Sequence, residues 1–490
     1  MLNSNTNDNV LTFVETNRNS PPSFNPKDSD IISNMLYMES LVGTLIRFQS
    51  SGRYEPYLAQ KWEVSSDQMK WDFFLTRDLR CADGIEITAD QYIRSLKQLF
   101  KLYLKKSRIP VFEKLRGWSD FVNGDDFSLG LEVVDKLHLR FIFDKRPEGL
   151  LEYLSMPFYG FYSPNNFANS DWKHNAEIIS SGACKLTFVD KNRVVLTKRK
   201  DWFSVKEDTP SIIVFESVDY KSALDKYSNS KHVIIAEYND LIDNIPYNFI
   251  RVHNTPTHLL SLVLSPYIKN VFDNPKNRML FKNKIRKGQN KIAFNSKNSM
   301  LSKSFYPLHS QIEQTDLFKD ERIIPRSNAK LKIIFISTIL ESERNYIEQL
   351  IGKVLDDENI PYEFITVDQS KPKWLDLLHS NKEYDLRVCK VDIGGNIENW
   401  VIKMMFCSKL GVSFPDPTDR MCKLVSEQEQ KGLYSVDNQY IKDFNKIIEA
   451  DSVVIPLYHT GLTWLFTKDI NIQKYSPTMN FPMFELLALE

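Results

Sequence analysis

The sequence predicts an α/β protein folded as two or more lobes, and three observations support that class. At 490 residues the chain exceeds what one compact core usually serves. Strand-like and helix-like segments alternate along both halves, which indicates βαβ units and a parallel sheet. No apolar run approaches the roughly 20 residues that a membrane helix needs.

Composition narrows the functional classes. Lys and Arg together number 63, as do Asp and Glu. Such a balanced surface argues against a dominant nucleic-acid or anionic-membrane partner. Apolar residues at 42% with 12% aromatics describe a globular chain. The five cysteines, Cys81, Cys184, Cys389, Cys407 and Cys422, allow at most two disulfides, and buried free thiols are the expected state. None makes a Cys-x-x-Cys pair, so a zinc cluster is not expected.

In chain order, Asn9 to Glu15 reads as a strand, and Pro21, Pro22 and Pro26 then impose a loop. Ile31, Met35, Met38 and Val42 share a helical face, with Asp30 placed to cap it and Gly43 beyond its end. The stretch from Tyr54 to Phe100 is the most informative. Trp71, Phe73 and Leu75 alternate with Asp72 and Phe74 as in a half-buried strand. Asp83-Gly84 makes a turn, and Ile85 and Ile87 restart an extended run. Thr88 with Gln91 forms a capping box ahead of a helix carrying Tyr92, Leu96 and Leu99 on one face.

Further on, Leu131 to Phe143 reads as two strands of a meander, and the aromatic, proline-bearing Met156 to Tyr162 as a crossover between lobes. Strand, helix and strand are expected at 211–215, 221–227 and 233–236. Lys282, Lys284, Arg286, Lys287 and Lys291 read as a solvated face, because a nucleic-acid patch would interleave aromatics. A second alternating series follows: a strand at 331–336, a helix at 341–355, a strand at 362–367, a short helix around Trp374 to Leu378, and a strand at 385–391. Ligands of such sheets bind beyond the strands' carboxyl ends. Trp400 to Cys407 and two later segments read as helices, then Val453 to Tyr458 as a strand with Leu462 to Phe466 as its partner.

Several of these segments resemble the family 5 extracellular solute-binding proteins, the oligopeptide and dipeptide receptors of bacterial ABC importers. Pro56, Leu58-Ala59, Trp62, Val64, Ser66-Asp67, Trp71, Phe73, Leu75, Asp83-Gly84 and Thr88-Ala89-Asp90 fall in the family's order. Gly182, Lys185 and Leu186, then Phe272-Asp273-Asn274 with Arg278, and late in the chain Pro456-Leu457-Tyr458-His459, extend the likeness. The resemblance implies the two-lobe periplasmic-binding-protein fold, type II and of the large peptide-binding class, with mixed sheets and a hinge. It implies one lobe from residues 1–250 plus 460–490, with an inserted subdomain around 46–160, and a second from 255–455. It also implies a monomeric, cofactor-free protein, at most peripheral to the membrane, that captures a peptide or peptide-like solute between closing lobes for an ABC permease. Its place would be periplasmic or extracellular, with lipid anchoring an option. The polar start MLNSNTNDNV lacks a signal's basic-then-apolar layout, so either a signal has been removed or the protein is cytoplasmic, and the resemblance favours removal. The alternative is a ligand-sensing regulatory domain of the same fold, not coupled to transport.

Asp392 is the leading site residue. Peptide-binding members carry an aspartate just past the corresponding strand, pairing with the ligand's α-ammonium group. A carboxylate in a water-poor cleft favours such a cation. The other reading is a turn aspartate capping Gly394-Gly395. Arg94 stands where a guanidinium would clamp a carboxylate, or else is an exposed helix arginine. Trp400 and Tyr458 are candidates for an aromatic ligand lining or for plain core. His253 and His258 lack the helical spacing of a metal pair. No Gly-x-Ser-x-Gly elbow, P-loop or Gly-x-Gly-x-x-Gly fingerprint appears, so a binding protein is expected rather than an enzyme.

Overall fold

The computed structural model describes residues 9–16, 21–26, 32–48, 53–103, 111–147, 149–168, 178–203, 209–237, 245–253, 256, 258–289, 299–302, 305, 321–324, 329–336, 339, 341–367, 383–392, 402–407, 414–430, 438–472, 484 and 487–489. The chain divides into two compact units. Unit 1 comprises Met1–Glu237, Asn244–Asn254 and Thr463–Glu490, and unit 2 comprises Tyr238–Asp243 and Thr255–Leu462.

Unit 1 is built on a seven-stranded mixed sheet. Its order is Phe249–His253, Thr463–Thr467, Val233–Glu237, Val10–Glu15, Ile212–Ser217, Arg193–Lys198, Cys184–Val189. Val10–Glu15 runs parallel to both of its neighbours, because helix Tyr220–Tyr227 carries the chain from Ile212–Ser217 across to Val233–Glu237. That helix starts at Asp219, whose carboxylate accepts from the Ser222 amide at 3.0 Å. Val14, Ala223, Val233, Ile235, Phe249 and Leu465 pack beneath it.

A second, four-stranded antiparallel sheet in unit 1 is ordered Ala59–Val64, Lys70–Leu75, His138–Ile142, Leu131–Asp135. Phe73, Leu75, Leu139 and Phe141 are buried, as are Tyr92, Leu96 and Leu99 of helix Ala89–Tyr103. Gly84 turns the chain with φ +85°, while Asp83 Oδ1 accepts from the Ile85 amide at 3.2 Å. Two expectations need correction here. Ile85 to Ile87 forms only a single bridge, Arg80 with Glu86, because the capped helix begins within three residues. The capping box is half made: Thr88 Oγ1 accepts from the Gln91 amide at 3.3 Å, but Gln91 Oε1 has no hydrogen-bond partner among the described residues.

The segment 156–162 also departs from expectation. It stays inside unit 1, where the Phe161 amide donates to Gly43 O at 2.7 Å. Ser180, Ser181 and Gly182 close the same knot. The Ser181 and Gly182 amides both donate to Leu41 O, and a Cβ on Gly182 would sit 2.7 Å from Ser40 O. Only glycine permits that approach.

Unit 2 holds a six-stranded sheet ordered Ser299–Leu301, Val454–Thr460, His258–Leu264, Leu386–Asp392, Leu331–Ile336, Tyr362–Val367. The βαβ pattern predicts a parallel sheet, and the last three strands are parallel. The remaining pairings are antiparallel, so the sheet is mixed. One face packs on helices Pro275–Gln289 and Glu341–Asp357 through Leu260, Leu280, Phe281, Ile347, Leu350 and Val388. The other packs on Arg420–Gln430 and Asn438–Asp451 through Leu259, Cys389, Met421 and Phe444.

Three further expectations are corrected in unit 2. Lys282 and Arg286 are buried rather than solvated: Lys282 Nζ donates to Glu449 Oε2 at 2.8 Å, and Arg286 pairs with the same carboxylate. Arg278 is buried too, donating to the carbonyls of Asp451 and Phe272, each at 2.8 Å. Leu462 to Phe466 is no partner of Val454–Thr460. Thr463–Thr467 joins the unit 1 sheet, because the chain leaves unit 2 after Leu462. Finally, Cys407 and Cys422 form a disulfide, whereas Cys81, Cys184 and Cys389 are buried thiols. The helix expected around Trp374 to Leu378 lies outside the described residues. Of Trp400 to Cys407, the part from Lys403–Cys407 is a single π-helical turn.

Candidate ligand-binding site

The carboxyl end of the parallel half of the unit 2 sheet is where an α/β sheet offers its ligand crevice. Leu386–Asp392 ends there at Asp392. Strand register then lays a row of polar residues across four strands. Asp392 stands opposite His258, His258 opposite Thr460, and Thr460 opposite Ser299. With neighbouring strands about 4.8 Å apart, the row spans about 14 Å.

The next residues inward are held by helix Glu341–Asp357. Lys390 Nζ pairs with Glu343 Oε1 at 2.6 Å, the carboxylate buried and the lysine partly so. Tyr458 and Tyr346 meet edge to face, their hydroxyls 3.2 Å apart. Glu343 and Tyr346 are three residues apart, so one helix face presents both to the sheet. Burial, reinforced by Tyr458, pushes the Tyr346 hydroxyl well above the ordinary tyrosine range, so Tyr346 stays neutral. An ion pair and a phenol pair thus fix the floor beneath the row.

In the row itself, His258 and Thr460 are 8% and 6% exposed. The Thr460 hydroxyl has no hydrogen-bond partner among the described residues. A shielded hydroxyl in that state forfeits about 1–3 kcal/mol of desolvation.

Of the residues singled out from the sequence, Asp392 and Tyr458 come to the same end of this one sheet. Arg94 belongs to unit 1, where its side chain is 70% exposed and pairs with Asp90 at 2.9 Å one helical turn away. Gly394 and Trp400 lie outside the described residues. His253 and His258 fall in different units. Sequence reasoning weighed His258 only as half of a metal pair, and missed Thr460 and the Lys390–Glu343 pair. One signal was present: Val454–Thr460 is apolar until it ends in His459-Thr460.

Asp416, Asp419 and Cys422 also bring ligand-type atoms within 4.8 Å of one another. Cys422 is oxidised, however, and Asp416 Oδ2 already accepts from the Cys422 amide at 3.0 Å at the start of helix Arg420–Gln430. That cluster caps a helix. No described helix is long and apolar enough to cross a membrane.

Residues 53–287 match the family model of bacterial extracellular solute-binding proteins, family 5 Middle. Over 89 residues the chain is 30% identical to the periplasmic oligopeptide-binding protein OppA of Haemophilus influenzae, a match spanning 18% of this chain and 16% of that protein. The fold extends much further. A periplasmic oligopeptide-binding protein, OppAIV of Borrelia burgdorferi, matches with TM-score 0.75 and 17% identity over 98% of this chain and 100% of that one. Haemophilus influenzae OppA in complex with RPPGFSPFR gives TM-score 0.75 and 13% identity over 99% and 100%. The Escherichia coli murein tripeptide binding protein MppA gives 0.73 and 14% over 98% of each chain. At these identities the structures establish the fold, and the family match supplies the kinship. Over residues 53–287, just under half of the chain, the sequence matches the bacterial extracellular solute-binding proteins of family 5.

Proposed function

We propose that this chain is the solute-binding component of an ABC importer, and that it takes a peptide or peptide-like solute by its free α-amino group at Asp392. The family match across residues 53–287 carries the reading. Relatives of the same fold are named for binding oligopeptides and a murein tripeptide. The placement of Asp392 at the carboxyl end of the unit 2 sheet agrees with it. Lys390, two residues earlier on the strand, has Glu343 as its own counter-ion.

The chemistry is that of a binding protein rather than an enzyme. A carboxylate shielded from bulk water gains from an ammonium partner, and polar groups along a sheet end match an extended peptide backbone. The partner that receives the solute is an ABC permease. The protein works in the periplasm or outside the cell, and the Cys407–Cys422 disulfide suits an oxidising compartment.

Native mass spectrometry of the purified protein tests this reading. The expected result is a co-purified mass that fragments as a peptide, or recovery of such a mass after incubation with a mixed tripeptide pool. Retention of a non-peptide solute alone would overturn it.

A further inference from the structure

We infer that Thr460 is a ligand-contacting residue that reads the peptide backbone near its third position. The inference rests on the reading that Asp392 holds the α-ammonium group. Its independent observation is the Thr460 side chain, only 6% exposed and with its hydroxyl lacking any hydrogen-bond partner among the described residues. Buried hydroxyls are nearly always paired, so an orphan needs a reason. Thr460 is the last residue of its strand, paired with a neighbouring strand on each side, which puts the orphan at the end of the sheet rather than in its middle.

Register supplies the distance. From Asp392 the row steps to His258 and then to Thr460, two strand spacings or about 10 Å. An extended chain advances about 3.3 Å per residue, so a peptide anchored at Asp392 and laid along the row brings its third residue over Thr460. A hydroxyl both donates and accepts, so it can serve either the amide or the carbonyl there. A dipeptide ends short of it. Thr460 thus sets a minimum ligand length without choosing among side chains.

Calorimetry with di-, tri- and tetra-alanine bearing free amino termini tests this on wild type, Thr460→Val and Thr460→Ser. Valine keeps the β-branched shape and removes only the hydroxyl. The expected result is a loss of roughly 3- to 10-fold in affinity for the tri- and tetrapeptide with valine, no loss for the dipeptide, and wild-type behaviour with serine. Thermal denaturation without peptide should place valine at or above wild type, because an unpaired group has been removed. Equal length profiles in all three proteins would overturn the inference and leave the proposed function standing. A lower melting midpoint for valine would show a folding bond and also overturn it. Failure of every alanine peptide to bind wild type would overturn backbone reading along this row altogether.

Discussion

Two histidine–threonine pairs, one in each unit, are built alike and finished differently. In unit 1, His253 stands opposite Thr463 on neighbouring antiparallel strands, and His253 Nδ1 lies 3.0 Å from Thr463 Oγ1. In unit 2, His258 stands opposite Thr460 in the same relation, yet the Thr460 hydroxyl has no partner among the described residues. Residue types and pairing are the same, so sequence chemistry does not separate them. The difference lies in what else the site must do. A pair closed on itself is a folding element. A shielded hydroxyl left open is a standing cost, and such costs survive where a ligand returns them.

The largest effect sharpens the comparison from the closed side, at a buried ion cluster. Glu449 faces both Lys282 and Arg286. Glu449→Gln leaves two buried cations without their carboxylate and should cost about 3–5 kcal/mol of stability, measured by urea unfolding. A loss below about 1 kcal/mol would mean the cluster behaves as a surface pair.

The same carboxylate sets an acid limit. Burial pushes the Glu449 carboxyl up, but Arg286 and Lys282 outweigh this and hold it below the ordinary value of 4.5. The folded value is therefore the lower one, so its stabilisation is complete above the unfolded value and is lost as pH falls through the folded one. Below pH 4.5 the wild type should lose more stability than Glu449→Gln. Parallel curves would remove Glu449 from the acid response.

The histidine–threonine comparison itself breaks or holds on two valines. Thr463→Val removes a made bond and should cost about 1 kcal/mol, whereas Thr460→Val should cost nothing. Equal losses in chemical denaturation would erase the contrast. The smallest effect is at Arg94. Losing an exposed pair one helical turn apart should cost about 0.3–0.5 kcal/mol and leave peptide affinity unchanged. A tenfold drop in affinity for Arg94→Ala would make that guanidinium part of the site.

The local segments were legible in the sequence wherever short-range chemistry decides. Trp71, Phe73 and Leu75 alternate, Asp83-Gly84 turns, and Thr88 caps, and the structure contains each of these features. What needed the folded chain was the choice of partner. Leu462 to Phe466 has the pattern of a hairpin return, but nothing in a period-2 pattern says which sheet it joins. Lys282 and Arg286 look like solvated charges because Glu449, far along the chain, cannot be seen from them. Asp392 was visible through its resemblance and its strand end. Thr460 was not, because an unmade hydrogen bond leaves no trace in composition or spacing.

Isothermal calorimetry with one tripeptide, offered with a free and with an acetylated amino terminus, to wild type and Asp392→Asn, tests the account at its centre. A charge-assisted bond of about 1.5–3 kcal/mol predicts a 10- to 150-fold loss when asparagine replaces the aspartate, for the free peptide only. The acetylated peptide should bind wild type weakly and be indifferent to the substitution. Equal losses for both peptides, or none for either, would contradict an ammonium anchor at Asp392.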